Sequence, residues 1–416
     1  MTSQPLTAQT VPNPIVQRWT RFWGDPGVQF VTLIFLTARI LTLIVAVWAM
    51  QLGPVTNLFE QHPIFVQSLA TRNLTAPFTS LIEPWHRWDT GWYMKVAGFG
   101  YSATDGSIIF APLYPLSMSI FGAPFHDTLM GGLIVSSIAC YIALILLYKL
   151  AKQETGRDDA ARTAIVALMA FPAAFYLMAG YTESLFLALV LGTIVSARNQ
   201  RWWLAGVLAI FASLTRLQGW VLFFPIGWWA FLQAPRFWLD TAIPLRDRIL
   251  KAIPRLFAMG MGPFTTLVFT LGVAAVGLGN ISDAYDNAQW GVLIRPPWVS
   301  VIDVMGRMIH GTAQSTEVAD FIALLIILIF SLAALRILPA PYHIYSGVTL
   351  VLVLMRYYTP TLLNGTLRYV LDFFPIFITL GVLLARRPLW RAVWIGTGIF
   401  FQLVFLLAFA RWMWVA

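Results

Sequence analysis

This chain has little charge. Only 11% of its 416 residues are Asp, Glu, Lys or Arg, while 59% are hydrophobic. A soluble domain carries about 25% charged and about 45–50% apolar residues. A globule of this size cannot hide so much apolar surface from water, so the composition excludes a soluble enzyme and a disordered chain and leaves a polytopic membrane protein. Cysteine occurs once, as Cys140 inside an apolar run, which rules out an intrachain disulfide and a cysteine metal cage. There is no Gly-x-x-x-x-Gly-Lys-Ser/Thr loop and no Asp-x-Asp pair, and His62, His86, His126, His310 and His343 lack ligand spacing. These absences argue against a nucleotide-phosphate loop, a metal-bound nucleotide sugar and a zinc site. No metal and no cofactor is expected. Internal repeats are also missing.

What is present is a series of long apolar runs. A spanning helix needs about 20 mainly apolar residues. Runs at 28–50, 129–150, 163–180, 183–197, 202–217, 218–232, 257–279, 318–338, 342–358, 366–385 and 391–411 predict an all-α bundle of eleven spans. Residues 1–27 read as a cytoplasmic lead-in, since they lack the short apolar core of a cleaved signal. Residues 28–416 read as one membrane domain. The run 108–124 is broken by Pro112, Pro115 and Pro124 and reads as a re-entrant or interfacial hairpin.

Charge orients this bundle. With the N-terminus inside, the inner segments hold 17 of the 27 basic residues, among them Lys149, Lys152, Arg157, Arg162, Arg386, Arg387 and Arg391. The acids run the other way. This is the positive-inside pattern, and a full span at 108–124 would invert it. The net charge of +9 is therefore a topology signal spread over short loops, not a nucleic-acid face. Two outer segments, 51–127 and 280–317, are long enough to roof a cavity.

Chemistry-bearing residues gather on that outer side. The first outer segment holds Arg87-Trp88-Asp89-Thr90-Gly91-Trp92-Tyr93, then Gly100-Tyr101, then Phe110 to Pro115 with Tyr114. A carboxylate among tryptophans at a membrane face is partly desolvated and can serve as a general base toward a hydroxyl. The plainer alternative is an aromatic belt in which Asp89 pairs Arg87. Glu183 lies where the runs 163–180 and 183–197 meet, and Arg216 closes the run 202–217. The second outer segment carries Gln289, Trp290 and Arg295, and Arg368-Tyr369 opens the tenth span, with Asp372 one turn on. Arg216, Arg295 and Arg368 have the planar fork that suits a lipid phosphate. Alternatively Asp372 pairs Arg368 across one helical turn. A lipid or sugar transporter or flippase is the rival function, but it should show repeats with matched broken helices.

In that order these strings, with Phe171-Pro172-Ala173-Ala174-Phe175, Tyr181-Thr182-Glu183-Ser184-Leu185-Phe186, Leu214-Thr215-Arg216 and Phe374-Pro375, resemble the second mannosyltransferase of GPI-anchor assembly and its prokaryotic relatives (PIG-V-like), in the GT-C superfamily of polytopic glycosyltransferases. The compact, Arg-rich loops look prokaryotic. The resemblance implies an integral membrane enzyme that moves a sugar, mannose in the family, from a polyprenyl-phosphate carrier to a lipid-linked or glycan acceptor. Transfer would take place on the extracytoplasmic side of the cell membrane. It implies Asp89 as the base of an inverting displacement and Arg216, Arg295 and Arg368 as donor-phosphate contacts. Glu183, Arg87, Trp88, Trp92, Tyr93, Tyr114, Gln289, Trp290 and Tyr369 would line the acceptor side or support the site.

The eleven-span topology is tested by cysteine labelling. In a variant without Cys140, a single cysteine placed in loop 149–162 stays unlabelled by an impermeant thiol reagent in intact cells. Labelling from outside overturns the topology.

Overall fold

The computed structural model describes Thr20 and residues 22–53, 62–75, 77–233, 237–286 and 290–415. Most of the lead-in, with Arg18 and Arg21, lies outside the described residues, as do Arg236 and Gln289. The helices of seven residues or more are α1 Pro26–Gln51, α2 Pro63–Leu69, α3 Asp89–Phe99, α4 Leu113–Gly122, α5 Thr128–Thr155, α6 Asp158–Met169, α7 Glu183–Arg198, α8 Trp202–Thr215, α9 Leu245–Ala275, α10 Pro297–Ile309, α11 Ser315–Ala334, α12 Ala340–Met355, α13 Phe374–Ala385 and α14 Pro388–Ala410. The chain is an all-α polytopic membrane protein. Among the described residues five helices (α1, α5, α9, α11 and α14) are long and apolar enough to cross a membrane, or six if Thr366–Asp372 and α13, which meet at a bend of 77°, make one span. Around them pack shorter apolar helices, α8, Leu217–Leu232 and α12.

Lipid contact explains the outside of the bundle. On α1, Leu33, Leu36, Ile40, Leu41, Ile44 and Trp48 are all exposed, an arrangement that only a hydrocarbon solvent tolerates. Inside it, helices close on glycine. A Cβ at Gly381 of α13 would run into the Ala160 carbonyl of α6, and one at Gly398 of α14 into the Ala170 carbonyl. Small residues allow such backbone approach where no water-driven force operates between helices.

Three of the expected spans are interrupted, each for a local reason. The run 163–180 stops as an α-helix at Met169, and a buried 3-10 turn, Ala174–Met178, follows Pro172. Proline has no N–H to continue the ladder and drives the residue before it out of the α region. The run 202–217 ends where Arg216 turns extended, at φ −145 and ψ 132. The run 366–385 bends at Phe373, because Pro375 cannot donate back to Leu371. Irregular backbone at such depth needs internal partners. Arg39 in the middle of α1 supplies one, donating from Nη1 to the Met178 carbonyl at 2.6 Å.

The expected hairpin 108–124 contains α4, whose ten residues rise about 15 Å and cannot span a hydrocarbon core. The α3 and α4 helices pack together as one part of a roof. The other part is a two-stranded ribbon, in which β1 Val292–Ile294 pairs antiparallel with β2 Arg356–Tyr358 and Ile294 stands opposite Arg356. Trp290 joins the two parts, packing on Trp92 at 5.0 Å and on Phe110 at 5.7 Å. Phe22, before α1, lies near Lys149, whereas Trp412 and Trp414, after α14, pack on Trp88 of the roof. The end of α1 is at the roof too, since Arg87 reaches Met50 and Arg411 reaches Gly53, so the first and last helices run in the same direction through the bundle.

Glycine packing yields a stability prediction. Gly381→Ala should lower stability by about 1–3 kcal/mol through overpacking, read as a fall in Tm in detergent. Gly396→Ala, at a position with open space around it, should leave Tm unchanged.

Candidate active site

The three interrupted spans and the start of α3 bring their polar residues to one place under the roof. Asp89 opens α3, behind Trp88, whose backbone sits at φ 50 and ψ −120. A non-glycine residue with positive φ stores about 1–3 kcal/mol of strain and persists only where the surroundings over-determine it. Here the Trp88 ring is wedged against Trp412 at 5.9 Å and Trp414 at 5.1 Å.

Acids and arginines then alternate. Arg368 Nη1 donates to Asp89 Oδ2 at 2.7 Å, and its Nε lies 3.1 Å from Glu183 Oε1. Arg216 Nη2 meets the same Glu183 oxygen, its Nη1 donates to Asp372 Oδ2 at 2.8 Å, and its Nε donates to Thr182 Oγ1 at 2.8 Å. Gln218 adds a bond to Asp372 Oδ2 at 3.0 Å. The sequence alternatives are corrected by this geometry. Asp89 pairs Arg368 rather than Arg87, and Asp372 pairs Arg216 rather than Arg368, because the helix Thr366–Tyr369 tightens to a 3-10 turn at Val370–Asp372, which takes residues four apart out of the line they keep along an α-helix. Exposure divides the acids: the Asp89 side chain is 17% exposed, against 0% for Glu183 and 1% for Asp372. Of the three, only Asp89 can be reached by a substrate.

Tyr369 is the hub of the cations. The guanidinium carbons of Arg216, Arg356 and Arg368 lie 5.7, 5.2 and 5.7 Å from its ring centroid. Arg356 Nη1 also donates to the Tyr369 hydroxyl. No carboxylate among the described residues pairs with Arg356. Sequence inspection missed Arg356, since it looks like one more basic residue at the end of a span. It also missed the acids that hold the bent segment: Glu317 accepts from Leu362 N at 2.8 Å and Asp320 from Leu367 N at 2.7 Å, both from α11. A signal was available, in two acids one turn apart at the start of an apolar run.

The remaining expected residues divide. Tyr93 faces the cluster, with its hydroxyl 3.3 Å from Thr182 Oγ1. Burial, and then the Asp89 and Glu183 carboxylates, raise the Tyr93 phenol above its ordinary value, so it stays protonated. Trp92 stacks on Phe110 at 5.5 Å in the roof. Tyr114 is fully buried and bonds Ser136 at 2.7 Å. Arg87 is turned away from Asp89 and toward Glu83, 3.9 Å from its carboxylate; it donates to the Ala410 carbonyl at 2.9 Å and lies 4.6 Å over Trp412, tying the C-terminal segment to the roof. His86 beside it bonds Ser68 at 2.7 Å, and burial, with Arg72 and Arg87 nearby, pushes its imidazole down to about 3. Arg295 is exposed at the end of β1 and takes no part in the ion pairs of the cluster.

Comparison with known proteins adds the following. The profile of the family described as Mannosyltransferase (PIG-V) matches residues 28–270, a stretch that includes Asp89, Glu183 and Arg216. The GPI mannosyltransferase 2 of Schizosaccharomyces pombe is 29% identical over 157 residues, 35% of this chain and 32% of that protein. No solved structure matches.

The alternation of charges predicts unequal roles in stability. Glu183→Gln leaves two buried guanidinium groups short of an anion and should cost about 3–5 kcal/mol. Asp89→Asn, at the accessible end, should cost less. Thermal unfolding of both variants in one detergent checks the order.

Proposed function

The chain belongs to the mannosyltransferase (PIG-V) family, and from that premise we propose that it is a membrane glycosyltransferase that moves mannose from a polyprenyl-phosphate carrier to a lipid-linked or glycan acceptor on the extracytoplasmic face of the cell membrane. The observation that carries this reading is the cluster around Tyr369, where one reachable carboxylate stands beside three guanidinium groups. Such a set suits an acceptor hydroxyl on one side and a phosphate on the other.

In this reading the acceptor oxygen attacks the anomeric carbon, Asp89 takes the hydroxyl proton, and the prenyl phosphate leaves. A single displacement inverts the anomeric centre and forms no sugar–enzyme intermediate. Arg216, Arg356 and Arg368 supply the positive field for the phosphate, with Arg295 as an outer contact at the exposed end of the ribbon. Glu183 and Asp372 hold the arginines in place. Trp92, Tyr93 and Trp290 form the acceptor side. A donor that arrives through the lipid phase needs no nucleotide-binding domain, and the loops have no room for one.

The purified protein should transfer mannose from a polyprenyl-phosphate donor in the presence of EDTA. Asp89→Asn should lower turnover by about 10²–10⁴-fold while the protein still inserts and unfolds cooperatively. Activity only with a nucleotide sugar and a divalent metal overturns the donor. Near-normal turnover in Asp89→Asn beside a dead Glu183→Gln overturns the base.

A further inference from the structure

Charge has to move across this site during the proposed reaction. A prenyl-phosphate sugar is a phosphodiester with one negative charge. Its leaving group is a phosphate monoester, which gains a second charge as the bond from the anomeric carbon to the phosphate oxygen breaks. The new glycosidic bond forms from the acceptor oxygen, and the acceptor proton goes to a carboxylate, which loses its charge. One negative charge disappears at the base, and one appears at the leaving oxygen.

A single cation is placed to answer both changes. Arg368 holds Asp89 at 2.7 Å in the resting site. We propose that Arg368 is the charge-transfer point of the reaction: proton arrival at Asp89 releases its guanidinium edge, which then stabilises the developing phosphate dianion. This rests on the reading of Asp89 as base and a lipid phosphate as leaving group. Arg216 cannot serve in this way, because Glu183 and Asp372, its partners, are buried and off the proton's path. Arg368 keeps one fixed acid, Glu183, and one that the reaction itself neutralises. Its surroundings allow the head group to turn while the backbone stays fixed. Asp320 pins Leu367 N, and the guanidinium lies over the rings of Tyr181 at 5.3 Å and Tyr176 at 5.7 Å, which offer a cation-attracting face in either position. In the resting site the phosphate then falls to Arg356, the guanidinium bonded to a phenol instead of an acid. Arg368 thus acts more strongly in the transition state than in the ground state, the condition for raising kcat.

The test uses Asp89→Asn as a neutral mimic of protonated Asp89. Binding of a polyprenyl phosphate is measured to the full-length protein in nanodiscs for wild type, Asp89→Asn, Arg368→Gln and the double variant. Asp89→Asn should bind the phosphate about tenfold tighter or more, since a freed guanidinium makes a charge-assisted bond. Arg368→Gln should abolish that gain in the double variant. Alone, it should lower kcat with little change in donor KM. If Arg368→Gln does not fold, Arg368→Lys takes its place; it keeps the charge without the fork and should retain only part of the gain. Binding in Asp89→Asn that is no tighter than wild type, or a gain that survives loss of Arg368, overturns the inference. A wild-type protein that turns over another donor and ignores polyprenyl phosphate overturns the function reading instead, so the two failures are distinct.

Discussion

One buried carboxylate holds this site together. Glu183, at 0% exposure, receives both Arg216 and Arg368 on a single oxygen, and a charge so far from water persists only when it is paired. Asp89 and Asp372 close the two ends of the row, giving acid, arginine, acid, arginine, acid. The start of α3, the start of α7, the end of α8 and the bent segment before α13 are thereby fixed to one another, although they are far apart in the chain.

The row exists because helices stop where they do. Phe171-Pro172, the extended Arg216 and Pro375 each end a helical run within an apolar segment. Irregular backbone at that depth leaves groups that lipid cannot satisfy, and side chains answer: Arg39 on the Met178 carbonyl after the first break, and Glu317 on Leu362 N and Asp320 on Leu367 N where the chain enters the bent segment. These contacts also aim Thr182, Arg216 and Arg368 toward a common point. The strained Trp88 backbone does the same for Asp89.

The site is asymmetric in a way that suits transfer. The two arginines of the row are already neutralised, while Arg356 donates to the Tyr369 phenol and, among the described residues, pairs with no carboxylate. Asp89 is the member of the row nearest solvent, and Trp92, Phe110 and Trp290 form an aromatic wall in the roof. In the proposed reading an acceptor hydroxyl and a lipid phosphate make different demands, met by the Asp89 carboxylate for one and by Arg356, which is bonded to a phenol rather than an acid, for the other.

Much of this was legible from residues alone. Low charge and long apolar runs determined an all-α membrane protein, because hydrocarbon admits few other backbones. The ordered strings from Arg87 to Pro375 pointed to the family and to Asp89, Glu183, Arg216 and Arg368, since those residue types are costly in apolar surroundings and so stand out against them. Pairing was not legible. Sequence spacing places Arg87 beside Asp89 and Asp372 under Arg368, and the fold gives both acids to other partners, because a 3-10 turn at Val370–Asp372 and a strained turn at Trp88 redirect the side chains. Arg356 and the holding acids Glu317 and Asp320 were hidden for the same reason. Their meaning depends on contacts with residues distant in the chain, and only the tertiary structure decides which charges meet.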